Sequence, residues 1–483
     1  MNPYLVLGIV IGYFLILIGI SLLTSRKADS QTFFTGNRKS PWYLVAFGMV
    51  GATLSGVTFI SVPGEVGNSA FSYLQFVLGN VVGFWIVATI LLPLYYKLNL
   101  VSIYSFLDQR FGFYSHKTGS FFFLISKLIG AAFRLFLVAG VLQIAFFDAF
   151  NIPFSLTVTI TIGLIWIYTF RGGIKTIVWT DTLQTMFLVS AVILTIISIS
   201  KSLGWNSATF LNEITNDSNS QIFFWDWRSG NNFFKQFLAG MFVTIVIVGM
   251  DQDMMQKNLT CRNIKEAQKN MVVFSISFLI AVFLFLCLGA MLYIYAHKAG
   301  IAIPEKSDDL YPLLALHYFG LPVGIAFLLG IVAAAYSSAD SALTALTTSF
   351  SVDFLNIEKY EEVKRQKIKR WSHLMFSVLL ILVIIVFEAI NNESIVVAVF
   401  RVAGYTYGPI LGLFVFGIYS DRKVKDKWVP AVALISPLIS YIISKYSHII
   451  FYGYEFGFEL LILNGLITIL GLYLISKKYA IEN

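Results

Sequence analysis

Long apolar runs constrain the fold of this chain more than any other feature of its sequence. They recur along the whole chain between short polar segments, and each is close to the ~20 residues that a helix needs to cross the hydrocarbon core of a bilayer. Of the 483 residues, 57% are hydrophobic and 12% are charged, a far smaller charged share than in soluble domains. We therefore exclude a water-soluble core and predict an all-α integral membrane protein with about thirteen transmembrane helices.

The apolar runs also give approximate bounds for the predicted helices. These are residues 3–24, 42–66, 70–96, 118–149, 152–170, 177–201, 234–254, 270–297, 321–350, 371–390, 393–419, 428–446 and 457–476. The first run has no basic segment before it and no small-residue cleavage site after it, so we interpret it as a retained span. No linker or soluble module is apparent, and residues 1–483 are predicted to form a single transmembrane domain.

The distribution of basic residues predicts the orientation of these helices. The net charge is +8, and 25 of the 34 lysines and arginines fall in the gaps that face one side of the membrane, with five in the gaps that face the other. Because cytoplasmic loops are enriched in Lys and Arg, this bias predicts an outer N-terminus and a cytoplasmic C-terminus. The basic residues therefore orient the protein, and we expect no nucleic-acid partner.

The second predicted helix contains residues that favour a local break. Gly48, Gly51 and Gly56 are followed by Pro63 and Gly64. Glycine relaxes the backbone and proline removes an amide donor, so this helix is expected to open. Carbonyls freed at membrane depth can bind a cation. Close packing of small residues against another helix is the alternative.

Hydroxyl side chains form a polar stripe along the ninth predicted helix. Ser337, Ser341, Thr344 and Thr348 recur at helical spacing, with Asp340 among them. The hydroxyls could simply bond back to their own helix, but an acid inside a membrane helix usually marks a functional site. Hydroxyl, carbonyl and carboxylate oxygens are hard ligands, which suit sodium better than a transition metal.

A second acid, Asp181, lies just inside the sixth predicted helix, after a turn at Gly172 and Gly173. At 1.5 Å of rise per residue, Asp181 lies ~9 Å and Gly51 ~14 Å from the same face, so the two could converge with the hydroxyl stripe in the inner half of the bilayer. A helix cap, or a side chain that reaches the membrane interface, is the alternative.

Four segments in chain order resemble motifs of the sodium/solute symporter family, which includes sodium-coupled sugar, proline and sialic acid transporters. They are ATLSGVTFISVPGEV in the second helix, FRGGIKTIVWTDTLQ at the fifth-to-sixth junction, DQDMMQKNLTCRNIKEAQ after the seventh, and AAAYSSADSALTALTT in the ninth. The resemblance implies a core of two inverted five-helix repeats. The first lies within residues 42–254 and the second spans 234–419, with one extra helix before (3–24) and two after (428–476).

The resemblance also implies a set of sodium ligands. The first sodium would be bound by three backbone carbonyls and two hydroxyls, those of Gly51, Leu54, Ala334, Ser337 and Ser338. Some relatives bind a second sodium, which here would use Asp181 with Ser341 and Asp340. Asp340 stands where the relatives compared have a hydroxyl, which leaves the second ion open.

By the same resemblance, the substrate would lie near mid-membrane against the second, third, fourth, seventh and eleventh helices. The polar candidates there are Ser55, Thr58, Gln75, Asn80, Arg134, Thr244, Gln252 and Arg401. Arg134 is near the middle of its helix, where a guanidinium needs an anion, carbonyls or water. Its planar fork suits a carboxylate, while an internal ion pair with Asp148 or Asp251 is the alternative.

These residues together predict a sodium-coupled symporter that imports a small polar solute by alternating access. A sugar acid or monocarboxylate is favoured over a neutral sugar or amino acid, and proton coupling is the alternative to sodium because Asp181 and Asp340 could titrate. We expect a bacterial cytoplasmic membrane, with the solute, sodium and lipid as partners and no obligate protein partner. The sequence has no nucleophile–base pair typical of an enzyme, and its helix interruptions cluster at one depth instead of lining a channel.

Overall fold

The computed structural model describes residues 3–24, 30–390, 395–454 and 456–477, and most of this chain is helical. Three basic residues used in the orientation analysis, Arg26, Lys27 and Lys478, lie outside the described residues, as do the first two residues of the helix predicted at 393–419.

The main helices follow one another with short connections. In chain order they are α1 (Pro3–Thr24), α2 (Trp42–Thr53), α3 (Gly56–Ser69), α4 (Tyr73–Ile86), α5 (Phe113–Ala145), α6 (Phe154–Ser202), α7 (Phe233–Ile247), α8 (Gln252–Asn258), α9 (Ile264–Lys298), α10 (Leu321–Ser349), α11 (Glu362–Ile390), α12 (Ile395–Thr406), α13 (Gly408–Tyr419), α14 (Val429–Lys445) and α15 (Leu460–Leu474). Shorter helices lie between them or at their ends, at Ser30–Thr35, Leu92–Lys97, Ser105–Arg110, Ser207–Asn216, Leu310–His317 and Ser447–Ile450. A two-residue strand, β1 (Lys423–Val424), pairs antiparallel with β2 (Ser476–Lys477) after α15.

The length and composition of these helices confirm a multi-span membrane protein. Within the described ranges, eight helices are long and apolar enough to cross a membrane, and a ninth span forms if α7 and α8 count as one bent unit. Shorter apolar helices include α2, α13 and α15. The total of about thirteen spans stays a prediction.

The predicted opening of the second helix is confirmed. Leu54 (φ −75°, ψ 65°) and Ser55 (φ −65°, ψ 174°) leave the helical region and separate α2 from α3. We call these two residues the α2–α3 break. Pro63 lies inside α3 and is not the point of interruption.

Two further irregularities position the site. Gly173 (φ 53°, ψ −142°) makes a turn within α6, at the predicted junction of the fifth and sixth helices. The helix predicted at 234–254 is not continuous, because α7 and α8 meet at 71°. The Asp251 carboxylate accepts a hydrogen bond from the Asp253 amide (2.9 Å) and so caps a new helix, α8, at this bend.

Packing places the α2–α3 break against α6 and α10. Both α2 and α10 pack along α6, while α9 packs on α3 and α7 on α4. Gly51 allows the close approach of α2 to α6, since a Cβ at this position would overlap the Thr185 hydroxyl. The hydroxyl stripe of α10 is fully enclosed in this bundle, where Ser337 and Asp340 are both 0% exposed.

Candidate ion and substrate site

The α2–α3 break and the hydroxyl stripe of α10 are in direct contact. The Ser338 hydroxyl donates a hydrogen bond to the carbonyl of Ala52 (3.4 Å). The Ser55 amide, which in a continuous helix would donate to the Gly51 carbonyl, donates instead to the Thr53 carbonyl (2.9 Å). This change releases the Gly51 carbonyl from the helical ladder, at the place where the family resemblance implies a sodium ligand.

Asp181 lies beside the same group of residues. It is fully buried on α6, and its Oδ1 accepts a hydrogen bond from the Ser337 hydroxyl (2.6 Å). Because the hydroxyl proton points at the carboxylate, the lone pairs of the Ser337 oxygen stay available for a cation. Asp181 therefore orients a predicted sodium ligand, whether or not it binds an ion itself.

The second oxygen of Asp181 contacts a residue that the sequence analysis missed. Lys257 Nζ lies 2.8 Å from Asp181 Oδ2, and the lysine side chain is almost fully buried. In the sequence, Lys257 follows the helix predicted at 234–254, a position that predicts a cytoplasmic loop. The bend between α7 and α8 returns the chain into the bundle and places this ammonium in the interior.

Asp340 makes a separate set of hydrogen bonds. Its Oδ2 accepts from the Tyr168 hydroxyl (2.9 Å), and its Oδ1 accepts from the Ser341 hydroxyl (3.3 Å). The carboxylate and hydroxyl that the resemblance implies for a second sodium are therefore already bonded to each other and to a tyrosine on α6.

A cavity opens next to the α2–α3 break and contains most of the predicted substrate residues. It has an empty volume of about 700 Å³, including its open mouth. Its lining includes five of the predicted substrate residues, Ser55, Thr58, Asn80, Arg134 and Thr244, together with Thr53. Tyr73, Phe76 and Phe84 add aromatic surface. We refer to this space as the main cavity because it contains these residues; other cavities in the described part of the chain have larger empty volumes.

Three predicted substrate residues lie elsewhere. Gln75 donates to the Asn231 carbonyl (2.9 Å) and accepts from the Phe224 amide (3.1 Å), so it anchors the loop before α7. Gln252 accepts from the Ile103 amide (2.9 Å) and donates to the Val101 carbonyl (2.8 Å). Arg401, on α12, is exposed and does not line the main cavity.

Arg134 faces the main cavity without an ion pair to any carboxylate of the described residues. Asp148 accepts a hydrogen bond from Gln143 Nε2 (2.6 Å). Asp251 accepts one from the Tyr407 hydroxyl (2.6 Å) and lies 3.3 Å from Lys127 Nζ. Both carboxylates considered as internal partners of Arg134 are thus bonded to other groups.

A second, smaller cavity lies on the other side of Arg134. It is lined by Arg134 together with Lys127, Asp251 and Tyr407. Lys127, two helical turns from Arg134 on α5, also lies 2.7 Å from Asp253. This ion-paired cluster connects α5 to the bend between α7 and α8.

Comparison with known proteins gives consistent results over nearly the whole chain. A model of the sodium:solute symporter family matches residues 33–426. The sodium/sialic acid symporter SiaT of Proteus mirabilis is 26% identical over 95% of this chain and 94% of that protein. The human sodium-coupled monocarboxylate transporter 2 is 24% identical over 81% of this chain and 64% of that transporter.

The fold is also similar to a solved structure. A Na⁺-coupled sialic acid symporter in a substrate-bound, outward-open state has a TM-score of 0.81 with this chain at 21% identity. The match covers 98% of this chain and 99% of that one. This likeness establishes a shared architecture across the whole membrane domain.

Proposed function

Because the chain belongs to the sodium:solute symporter family, we propose that it imports a small carboxylate-bearing solute, such as a sugar acid or a monocarboxylate, together with sodium. The observation that most supports a carboxylate is the Arg134 guanidinium, which faces the main cavity with no carboxylate partner among the described residues. A guanidinium inside a membrane costs free energy unless it is compensated. A carboxylate compensates it with two parallel charge-assisted hydrogen bonds.

Sodium would bind at the α2–α3 break. The ligands would be three carbonyls and two hydroxyls, those of Gly51, Leu54, Ala334, Ser337 and Ser338. The released Gly51 carbonyl and the orientation of the Ser337 hydroxyl toward Asp181 support this assignment. A site made only of oxygen atoms suits a small hard cation.

The position of the main cavity accounts for coupling between the ion and the solute. Leu54 would contribute a carbonyl to sodium, and the next residue, Ser55, lines the cavity. An ion that fixes the backbone of the α2–α3 break would therefore also fix the Ser55 and Thr58 side chains that face the solute. Each ligand would raise the affinity for the other, and this mutual effect is the coupling free energy that symport needs.

The relatives support the same class of solute. Sialic acid is a sugar acid with a carboxylate, and monocarboxylates carry the same group. We also propose that the protein lies in a bacterial cytoplasmic membrane with its N-terminus outside, that alternating access moves the solute inward, and that no obligate protein partner is required.

Uptake by proteoliposomes under separate sodium and proton gradients tests this function. An inward sodium gradient should drive uptake of a radiolabelled sugar acid or monocarboxylate, and a proton gradient alone should not. A competition panel of sugar acids, monocarboxylates, neutral sugars and amino acids identifies the class. Competition only by neutral solutes would contradict the carboxylate assignment, and uptake without sodium would contradict the coupling.

A further inference from the structure

Lys257 is a buried cation that the proposed transport cycle has not yet used. Its side chain is 2% exposed, and its ammonium group lies between two acids, 2.8 Å from Asp181 Oδ2 and 3.8 Å from Asp253 Oδ1. The bend of 71° between α7 and α8 brings it there. Because the ammonium is part of the chain, it stays beside α6 and α10, unlike a bound sodium ion.

The ammonium lies where a second sodium would have to bind. One oxygen of Asp181 accepts from Ser337 and the other contacts Lys257, so neither carboxylate oxygen is left without a partner. A sodium ion on Asp181 would lie within a few ångströms of the ammonium. Two positive charges at that distance repel each other strongly in a medium of low dielectric constant.

The other residues implied for a second sodium are also engaged. Asp340 is bonded to Tyr168 and to Ser341, and all three side chains are buried. The other charged groups near Lys257 are Asp253, which Lys127 also contacts at 2.7 Å, and Asp340. The second ion position thus already contains a positive charge that belongs to the protein.

We propose that the Lys257 ammonium replaces the second sodium, so that the protein couples one sodium ion to each solute. This inference rests on the proposed function and adds the number of sodium ions that are transported with each solute. Lys257 neutralises Asp181 in every state of the cycle without being transported, while Asp181 keeps Ser337 oriented for the one sodium at the α2–α3 break.

The test is the coupling ratio of the purified protein in proteoliposomes. At a fixed sodium gradient and with the membrane voltage held at zero, the opposing gradient of the radiolabelled sugar acid or monocarboxylate at which net flux stops gives the number of sodium ions per solute, because the balancing solute ratio equals the sodium ratio raised to that number. We expect one ion for the wild type, with a Hill coefficient for sodium near one. Lys257→Met keeps the length of the side chain but removes the charge, so sodium should enter beside Asp181 and raise both values toward two.

Two variants control this experiment. Lys127→Met removes the other buried ammonium that contacts Asp253, and the ratio should stay at one whatever happens to the rate. The double variant Asp181→Asn with Lys257→Met has no carboxylate to attract a second ion, and its ratio should also be one.

Each outcome decides the inference. A wild-type ratio of two, or a ratio that stays at one in Lys257→Met, overturns it. If Lys257→Met does not fold, the wild-type ratio decides alone, since one ion supports the inference and two contradict it. Absence of any sodium dependence in the wild type counts against the proposed function, which distinguishes the two failures.

Discussion

At the scale of single residues, the hydrogen bond from Ser337 to Asp181 orients the hydroxyl of one proposed sodium ligand. Ser337→Ala or Ser338→Ala removes one hydroxyl from a proposed site whose remaining ligands are mostly carbonyls. We expect sodium activation of uptake to need roughly ten- to hundred-fold more sodium, the effect of losing ~1.5–3 kcal/mol from a charged contact. Ser377→Ala is the control, because Ser377 is a buried serine on α11 whose hydroxyl donates to the His373 carbonyl of its own helix. An unchanged sodium curve in both site variants would refute the assignment.

Asp181→Asn tests the orienting role separately. The amide keeps the size of the side chain but removes the nearer acid from Lys257, leaving Asp253 at 3.8 Å, and weakens the bond from Ser337. We expect a higher sodium requirement with an unchanged Hill coefficient, measured by initial uptake rates over a sodium series. A Hill coefficient that fell from two to one would show instead that Asp181 binds a second ion.

Arg134→Lys tests the solute contact. An ammonium cannot reproduce the two parallel bonds of a guanidinium, so we expect a roughly ten- to hundred-fold loss of solute affinity. Thermal-shift titration with sugar acids and monocarboxylates measures it, and sodium alone should still stabilise the variant. Arg422 bonds to Ser476 and does not line the main cavity, so Arg422→Lys should behave like wild type. If Arg134→Lys and Arg422→Lys bind the solute with equal affinity, Arg134 does not bind a carboxylate of the solute.

The family resemblance implies eight substrate candidates, and five of them line the main cavity: Ser55, Thr58, Asn80, Arg134 and Thr244. Their contact with a solute stays a prediction. Gln75 and Gln252 are equally polar, but each satisfies the backbone of a neighbouring loop, and such contacts depend on tertiary structure that helical periodicity does not contain. For the same reason Lys257 appeared to be a loop charge.

At the scale of elements, the contact between α2 and α6 determines the geometry of the α2–α3 break. Gly51→Ala would drive a methyl group into the Thr185 hydroxyl and force the two helices apart. We expect a loss of about 1–3 kcal/mol in stability and weaker sodium activation, measured by thermal unfolding and by uptake. Gly163 lies on α6, where an added methyl group would have no atom near it. Gly163→Ala should therefore change neither the stability nor the sodium activation. Equal stability of the two variants would show that the approach of α2 to α6 is looser than described.

Some helix boundaries follow from the local sequence, while others depend on tertiary contacts. The break at Leu54 could be predicted because glycine weakens a helix locally. The bend before α8 depends on Asp251 acting as a cap while it also contacts Lys127 on α5 and Tyr407. No local pattern distinguishes such a residue from any other aspartate near a helix end.

At the scale of the whole molecule, the proposed orientation can be tested with single cysteines. Both native cysteines are buried, and burial raises the pKa of the Cys261 thiol to about 12, so background labelling at neutral pH should be low. Ser207 and Lys425 are exposed and belong to loops predicted on opposite sides. In intact cells a membrane-impermeant maleimide should label Ser207→Cys and not Lys425→Cys. The reverse pattern would mean that the N-terminus is cytoplasmic.

A lysine that takes the place of a transported ion also limits how far the cell can concentrate the solute. One sodium ion moving with one monovalent anion carries no net charge, so the membrane voltage contributes nothing to the driving force. The inside-to-outside ratio of the solute then cannot exceed the outside-to-inside ratio of sodium. The contact between Lys257 and Asp181 would thus lower the highest ratio of inside to outside solute that the cell can reach. Uptake would, in return, continue in a depolarised cell.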